Sequence, residues 1–228
     1  MRNRLASDIT IPSTVSAELA EETGIHVGDG YLGIHKYPSC FKYQYVVAGG
    51  VDDKAYLEDY VAPLVKLLYN KDMTLRRYEN TYTLYCYCKE IALFKKDFGL
   101  PVGRKDNLRI PPRILESKFV SDFLRGLFDT DGCLTFKKRY RDYPYYPCLS
   151  IASRNDVLIR QADAHLRSLG FNTSMVLNSS RTRLGTVCLI SNVYMYGRKN
   201  AKRWGELIGF SNPKNTAKFE FGVENGFI

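Results

Sequence analysis

The sequence lacks the features that mark several common protein classes. Its six cysteines form no Cys-x-x-Cys pair and its three histidines do not cluster with them, which argues against a structural zinc site. No apolar run approaches the roughly 18 residues of a membrane span, and no signal peptide is recognisable. We therefore expect a protein that is not secreted and not embedded in a membrane, working in a reducing intracellular setting such as the cytoplasm, the nucleoid or an organelle.

Acidic residues are scarce relative to basic ones. The chain has 33 Lys and Arg residues against 24 Asp and Glu residues, a formal net charge of +9. This balance favours a polyanionic partner, either nucleic acid or an acidic membrane surface. Charge alone leaves open a basic protein without such a partner.

What the sequence does have is a pair of short stretches that echo each other, residues 24–30 and 124–132. Each follows a run typical of a helix, ends in Asp-Gly, and precedes a run typical of a strand. Their aspartates, Asp29 and Asp131, are separated by the length of a small domain. The spacing indicates an internal repeat.

An aspartate at the end of a helix is unfavourable, because the helix C-terminus already carries partial negative charge. The glycines that follow, Gly30 and Gly132, are expected as left-handed helix stops. Since the unfavourable aspartate occurs twice at matching places, we expect a functional reason, most simply a divalent cation held by carboxylate and helix-end carbonyl oxygens.

Small residues share one face of each predicted helix. Gly24 and Gly28 are four apart, and Gly126 and Thr130 hold the matching places. Small residues at this spacing let two helix backbones approach closely. The two helices are therefore predicted to pack side by side, which would bring Asp29 and Asp131 together at one end.

The order of predicted elements also repeats. Hydrophobic periodicity and turn residues predict αββαββα in each half, an α+β fold with two pseudo-symmetric repeats. We divide the chain into a leader (1–12), a first repeat (13–100), a linker rich in proline (101–116) and a second repeat (117–228). The halves share little other sequence, so the duplication is an old one.

These observations together resemble the LAGLIDADG homing endonucleases. Residues 124–132 match the motif of that family at Leu124, Gly126, Leu127, Asp129, Asp131 and Gly132. Residues 22–30 match it more weakly, at Gly24, Ile25, Asp29 and Gly30, with Val27 where the first motif aspartate would stand. The resemblance covers nearly the whole chain.

The resemblance implies a homing endonuclease fold, in which two antiparallel sheets form a saddle over duplex DNA. It also implies a monomeric enzyme that cuts both strands of a long specific target site with a stagger. Because no splicing domain flanks the repeats, we expect a free-standing enzyme of the kind encoded inside introns, or one excised from its host. Mg²⁺ is the implied cofactor, with Mn²⁺ as an alternative and Ca²⁺ as a non-catalytic substitute.

The same resemblance assigns roles to individual residues. Asp29 and Asp131 are the implied catalytic and metal-binding carboxylates, with backbone oxygens of Gly28 and Thr130 as further ligands. Lys105 and Lys214, in the loops after the last helix of each half, match the family's active-site lysines. The family's polar residue at the end of the second strand has no clear counterpart, because Gly50 and Ser153 occupy that region and only Ser153 can form a side-chain hydrogen bond.

Strand alternation suggests which residues would contact DNA. The predicted DNA-binding residues are basic or aromatic: His35, Lys36, Lys42, Tyr43, Tyr45, Arg76, Tyr78, Tyr85, Lys137, Arg139, Arg141, Arg181 and Arg183. Taken singly, each could equally be part of an ordinary solvated strand face. Asp129 is expected to be structural, and His26 is expected at the helix interface and not as a metal ligand.

Two other functions remain open at this stage. One is a non-catalytic nucleic-acid binder on the same fold, such as an intron maturase or a regulator. The other is an unrelated basic scaffold in which the repeat is accidental. Retention of both aspartates favours the nuclease, because a binder has no need of carboxylates facing phosphates.

Overall fold

The computed structural model describes residues 8–138, 145–183 and 186–228. The first half contains helices α1 (Ala17–Asp29), α2 (Ala62–Tyr69) and α3 (Lys89–Asp97) and strands β1 (Gly30–Lys36), β2 (Phe41–Gly50), β3 (Thr74–Tyr78) and β4 (Thr81–Tyr87). A 3₁₀ turn (Val51–Asp53) and a π-helical stretch (Tyr56–Val61) precede α2. The π-helical stretch stands just before Pro63, which has no N–H to continue the helical ladder.

The second half repeats this order after the short linker helix α4 (Pro112–Leu115). Its elements are α5 (Val120–Asp131), β5 (Gly132–Lys137), β6 (Tyr146–Ser153), α6 (Asp156–Ser168), β7 (Thr173–Arg183), β8 (Thr186–Tyr196), α7 (Arg198–Leu207) and α8 (Pro213–Glu224). The predicted α+β class and the αββαββα order are confirmed, and α8 is an addition that the sequence analysis missed.

Each half folds around one antiparallel sheet of four strands. The strand orders are β1-β2-β4-β3 and β5-β6-β8-β7, so the two sheets have the same topology. The outer strands differ in length, because β3 has 5 residues and β7 has 11. Strand β8 also has 11 residues, so β7 and β8 form a long two-stranded ribbon.

Helices α1 and α5 lie side by side at the centre of the molecule, and one continuous apolar core surrounds them. A polar contact ties the pair together: the Arg125 guanidinium of α5 donates to Glu21 Oε2 of α1 at 2.6 Å. Glu21 also accepts from Tyr60 and Ser211. The interface therefore combines close backbone packing with a buried carboxylate that bonds to both halves.

The linker is packed against both halves. The Gly103 amide donates to the Leu32 carbonyl of the first sheet, at 2.7 Å. The Leu108 amide donates to Asn155 Oδ1 at 3.0 Å, and the Ile110 amide donates to Gln161 Oε1 at 2.8 Å. These bonds fix the segment that carries Lys105 relative to the second half. At the other end of the chain, residues 8–10 bond to the end of α2, where the Thr10 amide donates to the Tyr69 carbonyl.

Candidate nuclease site

The two glycines at the centre of the helix pair set the geometry of the site. A Cβ on Gly24 would overlap the Phe123 carbonyl oxygen and lie 2.9 Å from the Leu127 amide nitrogen. A Cβ on Gly126 would meet α1 in the same way, at Glu21 and Ile25. Since the contact is symmetric, α1 and α5 end side by side, and their last residues are Asp29 and Asp131.

Gly28 and Thr130, one turn nearer the helix ends, extend this contact between α1 and α5. A Cβ on Gly28 would overlap the Thr130 side chain. The Thr130 hydroxyl donates to the Gly126 and Leu127 carbonyls of its own helix, at 3.1 and 3.0 Å. The four residues predicted as a helix interface are thus brought together by the structure.

The expected left-handed stops are wrong. Gly30 has φ −82° and Gly132 has φ −88°, both extended, because each begins a strand directly. Glycine is needed there for space: a Cβ on Gly30 would meet His26, and a Cβ on Gly132 would meet Phe128. Because these glycines have no side chain, each strand can pass close over the last turn of the preceding helix. Each aspartate therefore stands directly before the first residue of its sheet.

The carboxyl groups of Asp29 and Asp131 both have pKa values above the ordinary value for aspartate. Desolvation, followed by repulsion from Asp29, raises the pKa of Asp131 to about 6. Desolvation raises the pKa of Asp29 as well, and Asp53 adds to this while Lys105 and Lys214 oppose it. Closely placed carboxylates of this kind favour a bound cation.

Lys105 supplies positive charge at this place. Its ammonium donates to the Val27 carbonyl at 3.1 Å and to the Gly28 carbonyl, so a cation lies at the negative end of α1. Desolvation lowers the pKa of Lys105, and the charges of Asp131 and Asp29 oppose that change. Lys105 therefore lies near enough to both predicted catalytic carboxylates for their charges to act on it.

Lys214 lies near Asp29, and its charge lowers the pKa of that carboxyl. It is not in a loop, as predicted, but in the first turn of α8, where Asn212 caps the helix and Pro213 begins it. Its ammonium contacts Asp53 Oδ1 at 2.6 Å. Asp53 was not predicted as a site residue, because only the fold brings it back from the turn after β2.

Asp129 has the structural role expected of it. Its buried carboxylate accepts from the Ser211 and Asn212 amides at 2.6 and 3.0 Å and from Asn215 Nδ2 at 2.9 Å. Burial raises its pKa to about 6 despite these three donors. Through these hydrogen bonds Asp129 holds the start of α8 in place, and Lys214 lies in the first turn of that helix.

The donor set suits a hard divalent cation. Carboxylates of Asp29 and Asp131 and backbone carbonyl oxygens such as that of Gly28 are the oxygen ligands that Mg²⁺ and Ca²⁺ take, and the Lys105 ammonium already bonds to one of them. Among the described residues, no group of three or more His, Cys, Asp or Glu side chains could hold a metal ion. Mg²⁺ sites commonly combine one or two carboxylates with phosphate oxygens, so this arrangement fits a cation shared with a phosphate.

Strand register decides which residues line the open face of the first sheet, the face that the helices leave uncovered. The cross-strand pairs His35–Lys42 and Gly33–Gln44 share it, and Arg76 faces Thr83 there. Lys42 lies over the Tyr87 ring at 4.5 Å from its centroid. The residues found on this face are Tyr31, His35, Lys42, Gln44, Thr74, Arg76, Tyr78, Thr83, Tyr85 and Tyr87.

Three predicted DNA-binding residues lie on the opposite face. Tyr45 is fully buried, and its hydroxyl donates to Glu22 in the core. Tyr43 pairs with Ile34, and Lys36 pairs with Phe41, on that same side of the sheet. The prediction was wrong because successive side chains of a strand alternate, so Lys42 and Tyr43 cannot share a face. Gln44 and Tyr87 were missed for the same reason.

The open face of the second sheet carries Lys137 and Arg181. Lys137 pairs with Tyr146, and Arg181 pairs with Cys188 on the long ribbon. Arg139 and Arg141, together with the side chain of Arg183, lie outside the described residues. Ser174, Tyr194 and Tyr196 add polar and aromatic groups to this face.

Comparison with known proteins agrees with this geometry. The family described as the LAGLIDADG-like domain matches residues 118–209, which span α5 to α7. I-DmoI in complex with DNA and Ca is similar in structure, with a TM-score of 0.64 at 17% identity over 90% of this chain and 97% of that one.

This chain has the LAGLIDADG homing endonuclease fold.

Two further structures share the LAGLIDADG fold with it. I-GzeII in complex with its DNA target has a TM-score of 0.54 at 10% identity, covering 93% of this chain and 92% of that one. The meganuclease I-AabMI bound to uncleaved DNA has a TM-score of 0.56 at 10% identity, covering 93% of each chain. No curated protein is similar enough in sequence to match. The match of α5 to α7 confirms the resemblance that the motif predicted.

Proposed function

We propose that the protein is a site-specific endonuclease that cuts both strands of duplex DNA. The observation that carries this proposal is the position of Asp29 and Asp131, adjacent at the ends of two touching helices and between two basic sheets. Each half contributes one carboxylate and one sheet. A monomer can therefore bind and cut both strands of a duplex, because each half supplies one carboxylate and one DNA-binding sheet.

The open faces account for DNA binding. Lys42 and Arg76 in the first sheet, with Lys137 and Arg181 in the second, supply the positive charge that phosphates require. Two-stranded ribbons fit the major groove, where each base pair presents a distinct pattern of donors and acceptors. Gln44 and the tyrosines of these faces can read base edges, so a long specific target is expected.

The site groups divide the work of phosphodiester hydrolysis. A bound divalent cation would supply charge neutralisation and an activated water. Asp29 and Asp131, with the helix-end carbonyl oxygens, would hold that cation. Lys105 and Lys214 place positive charge where it can stabilise the charge that grows on the phosphate oxygens in the transition state.

The identity of the cation belongs to the same proposal. Mg²⁺ or Mn²⁺ is expected to support cleavage and Ca²⁺ to support binding only. The I-DmoI structures that contain DNA with Mn, Ca or Mg support the use of divalent ions. In the described part of the chain no helix is long and apolar enough to cross a membrane.

A cleavage selection tests this function. The protein is incubated with a plasmid library that carries a randomised insert, in Mg²⁺ and in Ca²⁺, and the cut ends are sequenced. We expect staggered double-strand cuts within one long consensus in Mg²⁺ and binding without cleavage in Ca²⁺. Selective retention of one sequence without any cleavage in Mg²⁺ or Mn²⁺ would instead identify a non-catalytic binder.

A further inference from the structure

The turn that follows β2 brings a third carboxylate to the site. Asp53 ends the 3₁₀ turn, and its Oδ2 accepts from the Gly50 amide at 3.1 Å, which folds the side chain back toward the helix ends. Its Oδ1 accepts from Lys214 Nζ at 2.6 Å and from Asn212 Nδ2 at 3.1 Å. Asp53 belongs to the first half, whereas both of its side-chain donors come from the second.

The pair is charged and adjoins Asp29. Although burial works against ionisation, the hydrogen bonds from Lys214 and Asn212 hold the pKa of Asp53 below its usual range. The Asp53 side chain is 17% exposed and that of Lys214 is 48% exposed, so the pair is shielded from water on its carboxylate side only. Both charges affect Asp29. Desolvation is the main cause that raises the pKa of Asp29, the Asp53 charge raises it further, and the Lys214 charge lowers it.

The Asp131 end of the site is built differently. At the end of β6 the chain presents Ser153, Arg154 and Asn155, which line a cavity together with Lys105 and Asp131. The neutral Asn155 holds the linker there, accepting from the Leu108 amide at 3.0 Å. Among the described residues Lys105 donates to helix carbonyls and to no carboxylate. Thus one lysine is held by an anion and the other by neutral groups.

We propose that Asp53 is a positioning residue that holds Lys214 beside Asp29, so that the two DNA strands depend on different groups for their cleavage. This inference rests on the proposed nuclease function. Asp53 acts through Lys214 and does not touch the reacting phosphate. Removing its charge should therefore impair the strand served by Lys214 and spare the strand served by Lys105.

The first test needs no activity. In the full-length protein, the rate at which an amine-reactive acetylating reagent modifies Lys214 is measured by mass spectrometry. Asp53→Asn should raise that rate severalfold, because the ammonium is no longer held by a carboxylate. The control Asp52→Asn removes the exposed neighbouring charge and should leave the rate unchanged. Equal rates at Lys214 in all three proteins would overturn the proposal.

The second test resolves the strands. Single-turnover cleavage of a selected target, labelled separately on each strand, is followed for Asp53→Asn, Lys214→Met, the double variant and Lys105→Met. We expect Asp53→Asn to slow one strand about tenfold, the rate equivalent of one charge-assisted hydrogen bond. That strand should be the one that Lys214→Met slows, and the double variant should be no slower than Lys214→Met alone.

The outcomes separate the two proposals. Equal slowing of both strands by Asp53→Asn, or slowing of the strand that depends on Lys105, contradicts the positioning role while leaving the nuclease intact. If the unaltered protein cuts neither strand, the nuclease proposal fails, and the labelling result alone decides whether Asp53 holds Lys214.

Discussion

In the first half the helix that ends in Asp29 buries a carboxylate, whereas the matching position of the other helix is apolar. When Gly24 is aligned with Gly126, Glu22 corresponds to Leu124. Glu22 is fully buried and accepts from Lys95 Nζ at 2.6 and 2.7 Å. The hydroxyls of Tyr45 and Tyr69 also donate to it. The first core therefore closes around a buried ion pair.

The second half fills the equivalent space with apolar groups. The buried residues of α3 are Ile91, Ala92 and Lys95, and those of α7 follow the same spacing, Asn200, Ala201 and Trp204. Trp204 thus stands where the first half has Lys95. Its ring lies 4.6 Å from that of Phe128, and its Nε1 donates to the Gly209 carbonyl at 2.9 Å.

The difference shows which parts of the repeat are constrained. Core positions tolerate an ion pair in one half and a Leu–Trp pair in the other, provided that volume and hydrogen bonding are satisfied. The helix contact and the helix ends, by contrast, keep Gly24 with Gly126 and Asp29 with Asp131. The residues that both halves retain are those that bring the two carboxylates together.

The largest effect is expected from breaking the ion pair. Lys95→Met leaves Glu22 buried and unpaired, which should lower the free energy of unfolding by about 3–5 kcal/mol, as measured by urea denaturation. Lys66→Met, which removes an exposed pair with Asp72, is the control and should cost at most about 1 kcal/mol.

A set of replacements that makes the first core apolar, as the second core is, sharpens the comparison. Glu22→Leu, Lys95→Met, Tyr45→Phe and Tyr69→Phe together remove the pair and both hydroxyls that depend on it. This protein should recover most of the stability lost by Lys95→Met alone. If the combined variant is as unstable as the single one, the two cores are not interchangeable.

Breaking the helix contact should affect both halves at once. Gly126→Leu forces a side chain into the backbone of α1 and should cost about 3 kcal/mol by overpacking, with cleavage of both strands lost. Gly50→Ala is the control for stability alone, because a Cβ there comes no closer than 3.6 Å to a neighbour. A normal melting temperature with full activity in Gly126→Leu would show that the helices do not meet at this residue.

The two lysines offer a smaller and more local comparison. Lys105→Met should slow one strand about 100-fold with DNA affinity in Ca²⁺ largely kept, as expected for a group that acts on the transition state. Lys214→Met should produce a comparable loss on the other strand. Cleavage at the normal rate by both variants at saturating DNA would reduce the lysines to structural anchors.

The smallest effect concerns His26, which corresponds to Phe128. Its ring lies 5.5 Å from that of Tyr45, and burial holds its pKa well below 6.5, with Lys95 and Lys105 contributing. The folded protein therefore keeps His26 neutral while the unfolded chain takes up a proton, so its contribution to stability is lost as pH falls below about 6.5.

His26→Phe should remove this dependence. The free energy of unfolding of the variant, measured by urea denaturation, should rise relative to that of the unaltered protein as pH falls from about 7.5 to 5, by at most about 1.4 kcal/mol per pH unit. Asp129 and the other groups with altered acidity are present in both proteins and cancel. A difference that does not change with pH would mean that folding leaves the pKa of His26 unshifted.

The amino-acid sequence was sufficient to predict the features that occur in both halves or that follow from a local residue pattern. The repeat, the element order and the helix-end aspartates all leave periodic signals, because Gly24 and Gly126 occupy equivalent places on amphipathic helices. Helix α8 was missed although Asn212-Pro213 is a recognisable helix start. The faces of Tyr43 and Tyr45 could have been assigned by following alternation from Lys42 through the strand.

Other features depend on contacts between distant segments. Asp53 contacts Lys214 because the fold brings the start of α8 next to the turn after β2. Asp129 holds that start of α8 through its bond from the Ser211 amide. The extended conformation of Gly30 and Gly132 follows from how closely each strand passes over its helix, which no turn rule describes. The Glu22–Lys95 pair joins the first and last helices of one half, and its residues give no local sign of burial.

The central claim is that Asp29 and Asp131 form one cation-dependent site for both strands. The most direct test is single-turnover cleavage of a selected target by Asp29→Asn and by Asp131→Asn in Mg²⁺, with affinity measured beside it in Ca²⁺. We expect each variant to lose double-strand cleavage while still binding the target. Cleavage of both strands at a near-normal rate by either variant would contradict the account.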